Sequence, residues 1–469
     1  MVVQSEVTPE FVNGSVSYWM RDAGRPHPRP GLPGPIEADV AIVGGGFTGL
    51  WTAYYLKCAR PELDIAVIER EFAGFGSSGR NGGWFSAKAP GQFARYARES
   101  GRDAAVAFER EMMASVGEGV AVAEREGFGE HVRHDGMIQV ATSPAQLSRL
   151  RAYAAALGRE GWAPGRDFHL LTPPELDERV RVADVRGAFW SPHCARIHPA
   201  KYVLALAETV ERLGVRIYEG TTATAIEPRR VRTNRGDVRA QTVVQAIEGY
   251  TGSLEGQRRR YLPMNSSMVV TEPLGEAQLA AIGWRGAETM GDFAHSFAYL
   301  QRTADHRIAI GGRGIPYHFA STFDRQGRTA DFTVGQLGTR LVELFPSLAG
   351  VRLDHSWSGV LGVPRDWCAG VDFDASTGIA HAGGYVGHGV TATNLAGRTL
   401  RDLILGEDTE LTRLPWVGHR SRNWEPEPLR WIAARSLYAV YRFADRREYR
   451  SGSGRTHPAA RLANLISGR

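Results

Sequence analysis

Four groups of residues in this chain have types and spacings that suit chemistry. Gly44, Gly46 and Gly49 follow the pattern G-x-G-x-x-G, with Phe47 and Thr48 inside it. Gly44 permits a tight turn, Gly46 lets a pyrophosphate approach the backbone, and Gly49 lets the next helix sit close to the preceding strand. The amides opening that helix then face the phosphates, where the helix dipole favours negative charge. Glu69 lies about twenty residues further on, where a βαβ unit uses a carboxylate to hold a ribose 2′-hydroxyl. The same carboxylate repels a 2′-phosphate, so NAD or FAD is expected over NADP. From Arg70 to Trp84, seven of fifteen residues are Gly or Ser. Such a loop offers backbone donors to a second phosphate or a flavin ring; the other reading is a flexible surface loop. Finally, His388 stands between Gly387 and Gly389, with Gly383 and Gly384 just before. A histidine flanked by glycines has little side-chain cover, which leaves the imidazole open to a ligand. Cys58, Cys194 and Cys368 are far apart and form no C-x-x-C, so no metal site is expected.

The elements around these groups follow from periodicity. Val40 to Val43 is an apolar run of strand length, and Leu50, Ala53, Tyr54 and Leu56 give the next segment a helical apolar face. Ile65 to Ile68 is a second buried strand, ending at Glu69. Residues 92–127 carry helical spacing, and residues 144–158 form a helix opened by Ser143-Pro144. Tyr202 to Leu213 is a helix stopped by Gly214, which leads into a strand at 215–218. A further buried strand covers 243–247. Between Met264 and Ile310 the pattern alternates, with strands at 268–270 and 307–310, which suits an antiparallel sheet. Asn394 to Ile404 is a helix ending at Gly406. Leu429 to Arg450 reads as a basic amphipathic helix, docked on its own domain or touching a membrane or partner. Ser451 to Arg469 reads as a disordered tail.

Composition narrows the class. At 469 residues the chain suits two domains, and 43% hydrophobic residues suffice for globular cores. Of 56 basic residues only Lys57, Lys88 and Lys201 are lysine, and the net charge is +5 without a dominating basic block. Nucleic-acid binding is therefore not expected. The first ten residues are polar, with no signal-peptide core, and no apolar run reaches the length of a membrane span. An odd, scattered set of cysteines suits a reducing cytoplasm.

Several motifs occur in one order: the glycine fingerprint, Glu69, Gly76-Ser77-Ser78-Gly79-Arg80-Asn81-Gly82-Gly83, Ala195-Arg196-Ile197-His198-Pro199, Ala246-Ile247-Glu248-Gly249-Tyr250-Thr251, and Gly384-Tyr385-Val386-Gly387-His388-Gly389. In these the chain resembles the FAD-dependent D-amino-acid oxidase family. Ser17-Tyr18-Trp19, Thr271-Glu272-Pro273-Leu274, Trp357-Ser358-Gly359-Val360 and Trp424-Glu425-Pro426-Glu427-Pro428 are similar to its γ-glutamylputrescine oxidase-like branch. The likeness spans residues 15–432.

The resemblance implies an α/β fold: a Rossmann-type, three-layer (ββα) FAD-binding domain and a second, mixed-sheet α+β substrate domain. The first would comprise residues 1–88, 188–252 and 355–412. The second would comprise 89–187 and 253–354, with 413–469 as a C-terminal basic helical extension. Gly44, Gly46, Phe47, Thr48, Gly49, Glu69 and Arg70 would hold the adenosine and pyrophosphate. Gly76, Ser77, Ser78, Arg80, Asn81, Gly82, Gly83, Gly249 and Gly359 would line the pyrophosphate and isoalloxazine. Gly384, Gly387, His388, Gly389, Val390 and Thr391 would sit at the pyrimidine end. There, donors stabilise the negative charge that reduction places near flavin N1. His388, Tyr299 and Arg302 are the catalytic candidates. Met264, Phe297, Trp357 and Tyr385 are the substrate candidates; for each aromatic the competing reading is ordinary core packing. Arg302 is either a bidentate carboxylate clamp or a solvated strand-end arginine. Ser358 falls where relatives tether flavin to a cysteine, so non-covalent FAD is expected. Ala309 and Thr391 fall where relatives carry lysines, one of which activates oxygen. The electron acceptor is therefore oxygen or another carrier.

The expected reaction is oxidation of a primary or secondary amine, an amino acid or γ-glutamyl-polyamine-like compound, to an imine that hydrolyses. The alternatives are an FAD-dependent monooxygenase using NAD(P)H and a non-catalytic flavin or nucleic-acid-binding scaffold.

Overall fold

The computed structural model describes residues 11–24 and 27–467. The polar start of the chain, residues 1–10, lies outside the described residues, as do 25–26 in the Pro-rich lead-in and 468–469. The eight-stranded sheet has five parallel strands at its centre, in the order 216–218, 65–68, 36–43, 238–245 and 379–383. Val40, Ile42, Ile65 and Val67 face helices on one side, with Leu50, Trp51, Leu206 and Leu400 in the same cluster. Ala41, Val43, Ile68 and Val243 point the other way, onto the hairpin 223–227/230–233 through Val231 and Ile226. Alternate residues thus bury both faces, as in a doubly covered parallel sheet. Helix, parallel sheet and β-hairpin give the three ββα layers.

Helices Phe47–Ala59 and Gly389–Leu405 cross so closely that a Cβ at Gly397 would lie 2.7 Å from the Trp51 backbone. Helix Pro144–Arg159 is capped by Ser143, whose hydroxyl accepts the Gln146 amide, with Pro144 in the first turn. Helix Pro199–Arg212 precedes Gly214, at φ +90°. The segment expected as one helix over 92–127 is two, Phe93–Ser100 and Arg102–Arg125. They part at Gly101, whose φ of +91° no helix accommodates.

The second sheet has nine strands and is mixed. Its order is 12–13, 353–363, 262–271, 308–312, 299–302, 289–292, 137–141, 187–191, 169–171. The alternating region 264–310 is antiparallel where strand 262–271 meets 308–312, whereas 289–292 runs parallel to 137–141. The boundary expected at 355 cuts strand Leu353–Val363, which pairs with 262–271 along nearly its whole length, from Leu353 to Val363. The boundary at 188 falls inside strand Gly187–Ser191, which pairs with 137–141. Backbone pairing therefore places both strands in the nine-stranded sheet.

Helix Leu429–Ser451 buries Ala434, Tyr438, Tyr441 and Ala444 against Leu262, Met264 and Tyr317. Of the readings for this segment, docking on its own domain is the one observed. The tail expected as disordered instead contains a helix, Pro458–Ser467, which packs Ala460 and Ala463 into the same cluster. Among the described residues no helix is long and apolar enough to cross a membrane.

Candidate active site

One cavity of about 650 Å³ is lined from both sheets. At its nucleotide end the glycine turn is sterically obligatory. Gly44 has φ +113°, and a Cβ on Gly49 would lie 2.1 Å from the Gly44 carbonyl oxygen. At Gly46 a Cβ would lie 2.9 Å from Ser78 Oγ, which accepts the Phe47 amide. Gly44, Gly46, Phe47 and Thr48 all line the cavity. Glu69 also lines it, and its carboxylate accepts the amides of Gly45 (2.8 Å) and Glu71 (2.9 Å). Burial nevertheless pushes the carboxyl up to about 7, against those two stabilising amides.

The Ser/Gly loop forms the adjoining wall. Arg70, Gly76, Ser77, Ser78, Arg80, Asn81 and Gly82 line the cavity. The Asn81 amide donates to the carbonyls of Ser77 and Ser78, and its oxygen accepts the Gly83 amide. This fixes the loop rather than leaving it flexible. Arg80 donates to the carbonyls of Phe75, Ser358 and Arg325, so its guanidinium straps the loop to strand 353–363.

At the other end stand Gly249, Gly359, Tyr385, Gly387, His388, Gly389 and Val390. The Tyr385 hydroxyl meets Thr48 Oγ1 at 3.1 Å. His388 precedes helix Gly389–Leu405. Burial first, then the positive charges of Lys88 and Arg313, lower its pKa to about 4. At neutral pH it is an uncharged imidazole with one N–H to donate. The Tyr299 ring fits between Gly82 and Gly311: a Cβ would meet it at 2.7 Å on the first and 2.3 Å on the second. Its hydroxyl meets Ser266 Oγ at 2.8 Å. Phe297, 37% exposed, also lines this end.

Besides Arg70, Arg80 and Arg325, three more basic side chains line the cavity. Lys88 donates to Glu109 (3.0 Å) and Glu160 (2.6 Å). These carboxylates overcome burial and raise its pKa, so the ammonium stays charged. Arg149 pairs with Glu448 at 2.7 Å. Arg313 differs. It is 9% exposed, and its Nε and Nη1 have no hydrogen-bond partner. Among the described residues no carboxylate forms an ion pair with it. A guanidinium that deep without a counter-ion marks a place for an anion.

Three expected residues lie elsewhere. Met264 shares a strand face with Ser266. Two residues along, however, that face is covered by the C-terminal helix, and Tyr438 donates to the Met264 sulfur at 3.4 Å. Trp357 shares a face with Gly359, but packs edge-on against Trp19 and donates its indole N–H to the Arg80 carbonyl. Arg302 is three residues from Tyr299, an odd interval that turns it to the opposite sheet face. There it donates to the carbonyls of Arg285 and Gly286. The catalytic assignment of Arg302 thus gives way to the strand-end reading. Gly49, Gly83, Gly384 and Thr391 support the walls from outside the cavity: Gly83 abuts Gln301, Gly384 abuts Pro364, and Thr391 is buried in its helix. Sequence reasoning missed Arg313, Lys88 and Arg149. Lys88 carried a signal, as one of three lysines in an arginine-rich chain.

The glycine positions where a Cβ would intrude, the Glu69 carboxylate and the length of wall beyond them fit a dinucleotide extended by a ring system, which is FAD. The free cysteines Cys58, Cys194 and Cys368 do not line the cavity. Fold and site thus define a flavin-dependent oxidoreductase. The comparisons agree: residues 39–403 match the DAO family, FAD dependent oxidoreductase. The chain is 30% identical over 404 residues to a probable oxidoreductase OrdL of Rhizobium meliloti (strain 1021), covering 82% of this chain and 87% of that protein. It is also 30% identical over 398 residues to gamma-glutamylputrescine oxidoreductase of Escherichia coli (strain K12), covering 83% and 89%. A glycine oxidase structure from Geobacillus kaustophilus shares the fold, with a TM-score of 0.66 and 23% identity over 82% of this chain and 99% of that one. The chain belongs to the DAO family of FAD-dependent oxidoreductases.

Proposed function

We propose that this enzyme oxidises a small amine that also carries a carboxylate, breaking a Cα–H bond beside nitrogen. The observation that carries this reading is Arg313, a buried cation without a counter-ion in the cavity shared by His388 and Tyr299. Amino acids and γ-glutamylated amines both meet the description. Bound FAD, held without a covalent tether, supplies a two-electron acceptor for the hydride.

The chain's own residues bind, orient and desolvate. Arg313 takes the carboxylate as a bidentate fork, which fixes the amine end relative to the ring. Tyr299 and Phe297 give the substrate an apolar wall and keep water from the reacting carbon. Arg313, with no ion pair among the described residues, places positive charge in the enclosed space, which disfavours an ammonium and favours the neutral amine that hydride loss requires. His388, neutral near pH 7, would donate a hydrogen bond to a bound group that gains negative charge, without adding net charge of its own. The carbon loses a hydride and the nitrogen a proton; water then adds to the imine and releases a carbonyl compound and the remaining amine or ammonia. Oxygen or another carrier removes the electrons. The scattered cysteines suit a cytoplasmic setting.

The test is anaerobic addition of an amine panel to the FAD-loaded enzyme, following absorbance near 450 nm, a property of oxidised flavin. Carboxylate-bearing amines should bleach it. Bleaching by NADPH without any amine would instead favour the monooxygenase.

A further inference from the structure

We infer that helix Leu429–Ser451 is a working wall of the active site: its Asp445, Glu448 and Arg442 are positioning residues for the two chain reversals that carry Phe297 and Arg313. The helix lies beyond residue 403, where the family match ends. That Arg313 receives a carboxylate belongs to the reading above; the positioning claim rests on the contacts that follow.

The first reversal links strands Thr289–Asp292 and Tyr299–Arg302. Phe293, Ala294 and Phe297 from this loop line the cavity. Its base is closed from within, by Asp292 accepting the amides of Ala294 and Ala298. Its tip is held from the C-terminal helix. One Asp445 oxygen accepts the His295 amide at 2.8 Å and the other accepts the Ser296 amide at 2.9 Å. The His295 ring stacks on Tyr441, with 5.8 Å between centroids and 14° between planes. Glu448, itself buried, meets His295 Nε2 at 3.0 Å and accepts from Arg149 Nη1 at 2.7 Å. Arg149 in turn donates to the Phe293 carbonyl at 2.8 Å. The second reversal follows strand Ile308–Gly312. Arg442 donates to the Gly314 carbonyl at 3.1 Å, one residue past Arg313. Phe297 and Arg313 also face each other, the guanidinium carbon 6.0 Å from the ring centroid.

One helix therefore grips both sides of the substrate end through charge-assisted bonds to backbone groups, while the glycine turn at 44–49 is built without it. Loosening the grip should free Phe297 and Arg313 to depart from the geometry that an anion requires, and should leave the nucleotide end intact. This makes the extension a determinant of what the cavity holds.

The experiment uses the full-length, FAD-loaded protein with Asp445→Ala, Arg442→Ala and, as the conservative variant, Asp445→Asn. Amide hydrogen exchange is read over 293–299 and 311–315, with 44–49 as an internal control. Benzoate, whose ring and carboxylate suit Phe297 and Arg313, is titrated through the flavin spectrum. Exchange of the two reversals should quicken on the order of tenfold, with the control unchanged. The benzoate Kd should rise roughly tenfold, and Asp445→Asn should recover part of both effects. Unchanged exchange at 297–299 and 313–314 would overturn the inference, as would faster exchange with an unaltered benzoate Kd. If the unmodified protein gives no benzoate response, the carboxylate reading fails, and exchange at Phe297 and Arg313 alone decides the role of the helix. Should Asp445→Ala not fold, Arg442→Ala carries the same two readouts.

Discussion

Arg313 brings a permanent charge into an enclosed space where no carboxylate among the described residues pairs with it, and Glu69 keeps a carboxyl buried beside the glycine turn. Each makes a prediction. Arg313→Ala should raise KM for carboxylate-bearing amines by roughly 30- to 100-fold, the loss of a charge-assisted bidentate pair. FAD content should not change, and amines lacking the carboxylate should be indifferent to the substitution. Steady-state kinetics on matched amine pairs checks this; equal losses on both members would remove Arg313 from the site. For Glu69 the sign follows from its raised pKa. The folded protein without FAD favours the protonated acid, so its contribution to stability is full below the ordinary 4.5 and is lost as pH rises through about 7. If Glu69 holds the ribose as proposed, the ribose hydroxyls would donate to the ionised form and reverse that preference. FAD affinity should therefore increase between about pH 5 and 7, and Glu69→Gln should flatten the rise and weaken binding about tenfold. Fluorescence titration across that range decides it; a parallel slope in the variant would place the proton elsewhere, with Glu248, a cavity-lining carboxyl that burial also pushes up to about 7, the next group to test.

At the scale of elements, the turn between strand Ile36–Val43 and helix Phe47–Ala59 is the least forgiving part of the molecule. Gly49→Ala should cost several kcal/mol and abolish FAD retention, because the new methyl meets a backbone carbonyl at 2.1 Å. Gly45→Ala, where the nearest atom is 3.3 Å away on the Glu69 side chain, should be much milder. Thermal melts and flavin content of the two variants check the contrast. This region was legible in the sequence because glycine spacing, strand length and the carboxylate at 69 are all local. The capped helix at 144–159 and the glycine stop at 214 were legible for the same reason. Met264 and Trp357 were not, because their fate depends on distant segments that fold over one end of each strand: the C-terminal helix in the first case and helix Tyr18–Ala23 in the second. Period two does distinguish Arg302 from Tyr299, provided the strand is drawn correctly. Arg313 was invisible for a different reason. One arginine among many announces nothing until the structure shows that no carboxylate among the described residues pairs with it.

For the whole molecule, two sheets share one cavity, the glycine turn at one end and the basic, aromatic pocket at the other. The half with the glycine turn is set by short-range sequence; the opposite half, proposed to take the substrate, is assembled from reversals at 293–298 and 313–314, the lysine at 88 and a helix near residue 440. A cavity of that construction should discriminate amines by their carboxylate before anything else. The direct measurement is anaerobic flavin bleaching by matched pairs, such as proline against pyrrolidine or N-methylglycine against dimethylamine, extended to γ-glutamylated amines and their free counterparts. For at least one pair the carboxylate-bearing member should reduce the flavin at least about tenfold faster at low concentration, and Arg313→Ala should erase the difference. Equal reduction by both members, or reduction by NADPH with no amine present, would contradict it.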